Sequence, residues 1–278
     1  MLHVQKTKSH TTAEWLDELL TQVRQEKQNQ LFAMIDLADD KNFILQTIRY
    51  HSTEPAHRLL LDNTAHQSVA ESGPVLIAIN TEQQPQVKLL LELMQIIENE
   101  PRLIFLIAQA HINLDQLTQR LTQATQVELE DGLLPMIFRF YDPRCLHIAL
   151  SNLSPAEFKF LFEPIHAIHW QDRDGISSRI NRPTEFSSLP DWPHQVLHLS
   201  DGSVQALSAW QQAEKWQQTH EATPDKFGLD NKEAMMQLLY QMQLLADEEN
   251  LLSEPERNAF IDEKLQNTGK TNNHLKGN

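Results

Sequence analysis

A layered α/β lobe, a mixed sheet flanked by helices, followed by a smaller all-helical lobe is the fold class that this 278-residue sequence predicts. Three observations lead to it. Short apolar runs of strand length alternate with amphipathic stretches through the first 172 residues. The segment 173–195, rich in Pro, Ser, Asn and Asp, carries neither period and reads as a connector. Beyond it, residues 196–265 show only helical spacing, and 266–278 have almost nothing to bury and read as a disordered tail.

Taken in order, Trp15, Leu16, Leu19, Leu20 and Val23 form one stripe on a polar helix that Thr12 can cap. The run LFAMIDLA, 31–38, is too short for a helix and reads as a strand, with Asp39 and Asp40 capping a helix over 39–50. A short strand over 58–61 and a clearer one over 74–79, opened by Gly73, come next. Pro85 suits the first turn of a helix over 85–99, and Pro101 ends it. RLIFLIAQ, 102–109, is the most apolar stretch and is expected as a central strand buried on both faces. A helix over 113–122, strands over 126–130 and 136–142, a helix over 155–161 capped by Ser154, and a strand over 165–170 complete the first lobe. Three helices, over 203–219, 229–246 and 254–265, make the second.

Composition narrows the function. Thirteen Pro against seven Gly, and no glycine-rich phosphate loop, argue against a nucleotide cleft. The balance of 23 basic to 38 acidic residues gives a net charge of -15, and without a basic cluster no nucleic acid is expected as a partner. The lone Cys145 rules out an internal disulfide and fits a reducing cytoplasm. No apolar run approaches the length of a membrane helix, so no membrane is expected and the protein is read as soluble.

Four groups of residues could carry chemistry. The run FRFYDPR places Arg139, Tyr141, Asp142, Pro143 and Arg144 at the end of a strand. Two arginines there could hold a carboxylate or phosphate, or an Arg–Asp pair could lock a strand-to-helix corner with Asp142 as cap and Pro143 in the first turn. Capping explains Asp142 and Pro143 without chemistry. Cys145 and His147 fall on different faces of a helix starting at Pro143, so no nucleophile dyad is expected. His166 and His169 point to opposite sides of a strand, and no third ligand stands at metal spacing, so neither metal nor cofactor is expected. Asp36 is the unexpected residue, a carboxylate inside an apolar run. In the helical lobe, Trp210, Trp216, Met235, Leu239, Met242 and Leu245 form adaptable apolar stripes that read either as a partner-binding face or as a small core.

The order of motifs LFAMIDLA, SGPVLI, RLIFLIAQ with LDQLTQRLTQ, EDGLLPMIFRFYDPR and LFEPIHAIHW resembles the domain-of-unknown-function family of type VI secretion effector chaperones, also called adaptors. The resemblance spans residues 31–171 and is most specific over Asp131, Gly132 and the RFYDPR run. It implies a non-enzymatic protein of the bacterial cytoplasm that binds a cognate effector and loads it onto the spike, the valine-glycine-repeat trimer VgrG. The family signature falls on Asp36, Gly73, Pro74, Asp131, Gly132, Arg139, Tyr141, Asp142, Pro143 and Arg144, and it implies that region 196–265 reads the cargo. The alternatives are a hydrolase or transferase acting on an anionic small molecule at an Arg139/Arg144 pocket with Asp36 or Asp142 as base, and a structural subunit of a larger apparatus.

Overall fold

The computed structural model describes residues 4–9, 11–25, 29–38, 43–53, 55–98, 100–129, 136–191 and 196–275. The chain divides into two compact units, residues 1–200 and 201–278.

In the first unit the order is β1 (Val4–Ser9), α1 (Thr12–Gln25), β2 (Asn29–Asp36), α2 (Phe43–Tyr50), β3 (His57–Leu59), β4 (Pro74–Ile79), α3 (Gln84–Ile96), β5 (Leu103–Gln109), α4 (Leu114–Thr125), β6 (Gln126–Leu129), β7 (Met136–Ile137), α5 (Leu146–Ser151), α6 (Pro155–Phe162), β8 (Ile165–Gln171), β9 (Ile176–Asn181) and β10 (Leu197–Leu199). The α/β class is as expected. The large sheet has the order β1-β9-β8-β5-β2-β4-β3 and is antiparallel throughout. Mixed pairing is confined to a small sheet, β10-β6-β7, in which β10 runs parallel to β6.

As its composition predicts, β5 is the central strand, and Leu103 to Ala108 are all buried. Alternation along the strands divides the core into two. Leu31, Ala33, Ile35, Val75, Ile77, Phe105 and Ile107 face α1, α2 and α3. Phe32, Met34, Leu76, Ile104 and Leu106 are equally buried on the opposite face, where α4 and α6 pack. Each large side chain so buried contributes about 1.5–3 kcal/mol relative to exposure.

Local signals set the helix starts. Asn113 and Gln116 form a reciprocal capping box at α4, and Ser154 and Glu157 form another at α6, where Pro155 occupies the first turn. At α1 the capping pair is Thr11 with Glu14 rather than Thr12, which already lies in the helix. The residues read as caps of α2, Asp39 and Asp40, lie outside the described residues.

Three expectations are corrected. The connector over 173–195 contains β9, which pairs with both β8 and β1. Its sequence ISSRIN, like VQKTKS of β1, is too polar to look like a strand, because these two stand at the margin of the sheet. Secondly, 136–142 is not one strand. Phe140 and Tyr141 are consecutive and both buried, which a strand facing one core cannot satisfy, and the chain turns there as Asp142 N–H donates to the Arg139 carbonyl at 3.1 Å. The following helix therefore starts at Leu146, three residues later than Pro143. Thirdly, the last helix runs on past residue 265.

The second unit contains α7 (Asp201–Thr219), α8 (Lys232–Glu248) and α9 (Glu254–Leu275). Asn231 caps α8 by accepting from Ala234 N–H at 2.7 Å. Trp210 meets Tyr240 edge to face with ring centres 5.4 Å apart, and Met235, Met236, Leu239, Ile261 and Leu265 complete the core. Arg257, from α9, donates to Gln212, Gln243, Asp247 and the Leu251 carbonyl, tying all three helices together. Among the described residues, no helix is long and apolar enough to cross a membrane.

Candidate functional site

The polar residues singled out by the sequence meet at one end of the large sheet. Asp36 is the last residue of β2 and lies opposite Pro74, the first residue of β4. Its own N–H donates to the Arg102 carbonyl at 2.9 Å, and Leu37 N–H donates to the Gly73 carbonyl at 3.2 Å. Arg102 in turn donates to the Ala38 carbonyl. The starts of β4 and β5 are thus sewn to the end of β2.

Gly73 belongs here for lack of space and not for a special backbone angle, since its φ is -95°. A Cβ at this position would lie 2.6 Å from Cδ1 of the buried Leu61. Only a residue without a side chain lets the turn close against that leucine.

Across this corner runs the segment 138–144. The Arg139 guanidinium reaches Asp36 Oδ2 at 2.5 Å and Asp142 Oδ2 at 3.2 Å. Arg144 grips Asp142 in a fork, Nε to Oδ1 at 2.9 Å and Nη2 to Oδ2 at 2.7 Å. The backbone supplies more donors: Ala38 N–H to Asp36 Oδ1 at 3.1 Å and Arg144 N–H to Asp142 Oδ1 at 3.0 Å. Both carboxylates are buried, whereas the Arg139 side chain is 41% exposed. Two negative and two positive charges therefore cancel in place.

Burial alone would lower the Arg139 pKa, but Asp36 and Asp142 outweigh it and hold the group above its ordinary value. Tyr141 is buried beside Arg139, and burial followed by the Asp36 charge raises its phenol far above the usual value. It stays neutral, as does the rest of the aromatic floor made by Phe138 and Phe140.

The arrangement makes a lock. Each carboxylate accepts from a guanidinium and from a backbone N–H. The hydrolase or transferase alternative required Arg139, Arg144 and Asp36 or Asp142 to converge on one open cleft and would fall if Arg139 and Asp142 were paired and buried; they are paired and Asp142 is buried, while the Arg139 side chain is 41% exposed. Asp142 does not cap the following helix by side chain; its carboxylate is taken by Arg144 and Arg139, and its carbonyl accepts from Leu146 N–H at 2.9 Å. Pro143 is buried in the turn between. Asp131 and Gly132 lie outside the described residues.

The remaining candidates are dispersed. Cys145 is half-buried, with its thiol 3.6 Å from the Arg139 carbonyl. Burial, assisted by Arg173 and Lys6, pushes His147 down to about 4. Burial and Arg179 push His169 down to about 3. The described residues contain no group of three metal-ligating side chains.

In the helical unit, Trp210, Trp216, Met235 and Leu239 are core residues, each 5% exposed or less. A partner cannot touch them while the unit stays folded. Met242 is half-buried and Leu245 is exposed, so these two alone of the six remain at the surface. Sequence reasoning missed Arg102, which stands at the start of an apolar strand with no pattern to mark its long-range bonds.

Residues 31–159 match the model of a family described as a domain of unknown function, DUF4123. That family is associated with adaptors of type VI secretion effectors. The matched span contains every residue of the Asp36–Arg139–Asp142–Arg144 lock, together with Gly73 and Pro74. No curated protein and no solved structure matches the chain.

Proposed function

We propose that this protein is a non-enzymatic adaptor of the bacterial cytoplasm that binds one cognate type VI secretion effector and loads it onto the VgrG spike. The match of residues 31–159 to the adaptor-associated family carries this reading. The site agrees with it, because its charged residues are spent on holding the frame and a carrier requires a frame and a recognition surface.

The helical unit supplies a surface of suitable character. Glu248, Glu249, Glu254 and Glu256 are exposed around the junction of α8 and α9, close in sequence to the exposed Leu245 and Leu252. Apolar contacts ringed by negative charge suit an amphipathic, basic segment of cargo, with charge setting the rate of encounter. Co-purification with a tagged full-length chain from cells that express a type VI apparatus tests the reading. Recovery of an effector, with association slowed by salt or by charge reversal at these glutamates, is expected. An abundant, folded chain that brings down no effector would overturn it.

A further inference from the structure

The segment 182–187, beyond β9, forms one wall of an open concavity of about 630 Å³ in the first unit. Gln109 at the end of β5, Lys159 of α6, Glu163 just after that helix, and His166 of β8 provide the others. Its charges are mostly paired. Arg120 holds Glu163 at 2.8 Å, and Lys159 holds Asp191 at 2.7 Å. Arg182 has no carboxylate partner among the described residues; its guanidinium donates only to the Glu163 carbonyl, at 3.3 Å. Among the residues that line the concavity, Lys159 and Arg182 stand against Glu163, which leaves one surplus positive charge there on a chain whose net charge is -15; the exposed Glu185 of the same segment does not line it.

Arg182 is held ready. Its N–H donates to the His166 carbonyl at 2.7 Å, which fixes the backbone. Its guanidinium carbon stands 5.1 Å from the ring centre of the buried Phe186. The Glu163 carbonyl that receives it also receives Gln109 Nε2 at 3.1 Å, so the acceptor is fixed as well. Of the five donors of a guanidinium, most remain for a ligand, in the planar fork that matches a carboxylate.

We propose that this concavity is a carboxylate-binding site that takes an acidic peptide segment of a partner protein, with Arg182 as the recognising group. One surplus positive charge matches one carboxylate better than a phosphate dianion. The polar wall of Thr184 and Ser187 suits the main chain of an extended peptide. The inference rests on the adaptor reading only in taking the ligand to be protein.

Calorimetric titration of the full-length chain at low salt tests it, with acetyl-tetraglutamate amide, the matching tetraglutamine peptide and inorganic phosphate as probes. Tetraglutamate is expected to bind about tenfold or more tighter than tetraglutamine, and Arg182→Ala to lose about tenfold, the worth of one charge-assisted pair. Arg182→Lys should keep the charge and recover part of the loss. Should Arg182→Ala disturb folding, as read by near-UV circular dichroism, Arg182→Gln gives the same comparison. Equal binding by the wild type and the Arg182 variants, equal binding of the two peptides, binding of phosphate alone, or binding of none would each overturn the site. A chain that binds tetraglutamate through Arg182 yet carries no effector would keep the site and remove the adaptor reading.

Discussion

Asp36 shows how much one carboxylate can organise. It ends an apolar strand, is buried, and meets Arg139 at a separation of 103 positions in the sequence. Removing it leaves the partly exposed Arg139 guanidinium with Asp142 as its carboxylate partner and takes the acceptor from the backbone N–H of Ala38. Asp36→Ala should therefore cost about 1–3 kcal/mol of stability, the lower part of the range reflecting solvent screening at Arg139. Asp36→Asn keeps an acceptor for Ala38 N–H and should cost less; urea unfolding of the two variants compares them, and equal losses would mean that the Ala38 bond contributes nothing. Two histidines give a pH signature. Both His147 and His169 are held neutral in the fold, at about 4 and about 3, whereas in the unfolded chain they titrate near 6.5. The unfolded state binds more protons from about pH 6.5 downwards, so stability falls with falling pH through that window. The urea midpoint should drop between about pH 7 and about pH 5, and H147Q/H169Q should drop less; parallel slopes would contradict the assignment.

At the scale of elements, what the sequence makes legible depends on whether the signal is local. The apolar runs of β2, β4, β5 and β8 announce themselves, as do the capping residue Ser154 and the proline of the first turn of α6. The interruption of an apolar run by Asp36 and the density of charge in FRFYDPR mark the corner. The partner of Asp36 does not show, because a pairing across a hundred residues leaves no spacing behind it. Nor do β1 and β9, whose polar strands at the sheet margin lack the alternation of a half-buried strand. Periodicity in α7 and α8 places Trp210, Trp216, Met235 and Leu239 on shared faces but does not say what covers those faces, and here the other helices of the same unit do. A contrast between positions follows. Leu239→Ala should cost the helical unit about 2–5 kcal/mol by opening its core, while Met242→Lys with Leu245→Lys should leave its unfolding transition in place and weaken effector binding. If the lysine pair melts the unit instead, those two positions belong to the core as well.

On the scale of the whole molecule, the chain reads as a stable frame with surfaces for other proteins. The frame is a seven-stranded antiparallel sheet covered on both faces, locked at one end by a neutral network of two arginines and two aspartates. The helical unit carries exposed glutamates beside exposed leucines, and the first unit carries a concavity with one unbalanced arginine. Surfaces of opposite sign suit a carrier that meets more than one partner. The adaptor proposal requires this protein for delivery of an effector and not for firing of the apparatus. The most direct measurement is quantitative export from a strain lacking the chain, complemented by wild-type protein: the effector should disappear from the medium while spike release continues at its normal level, and unchanged effector export without the chain would contradict the account.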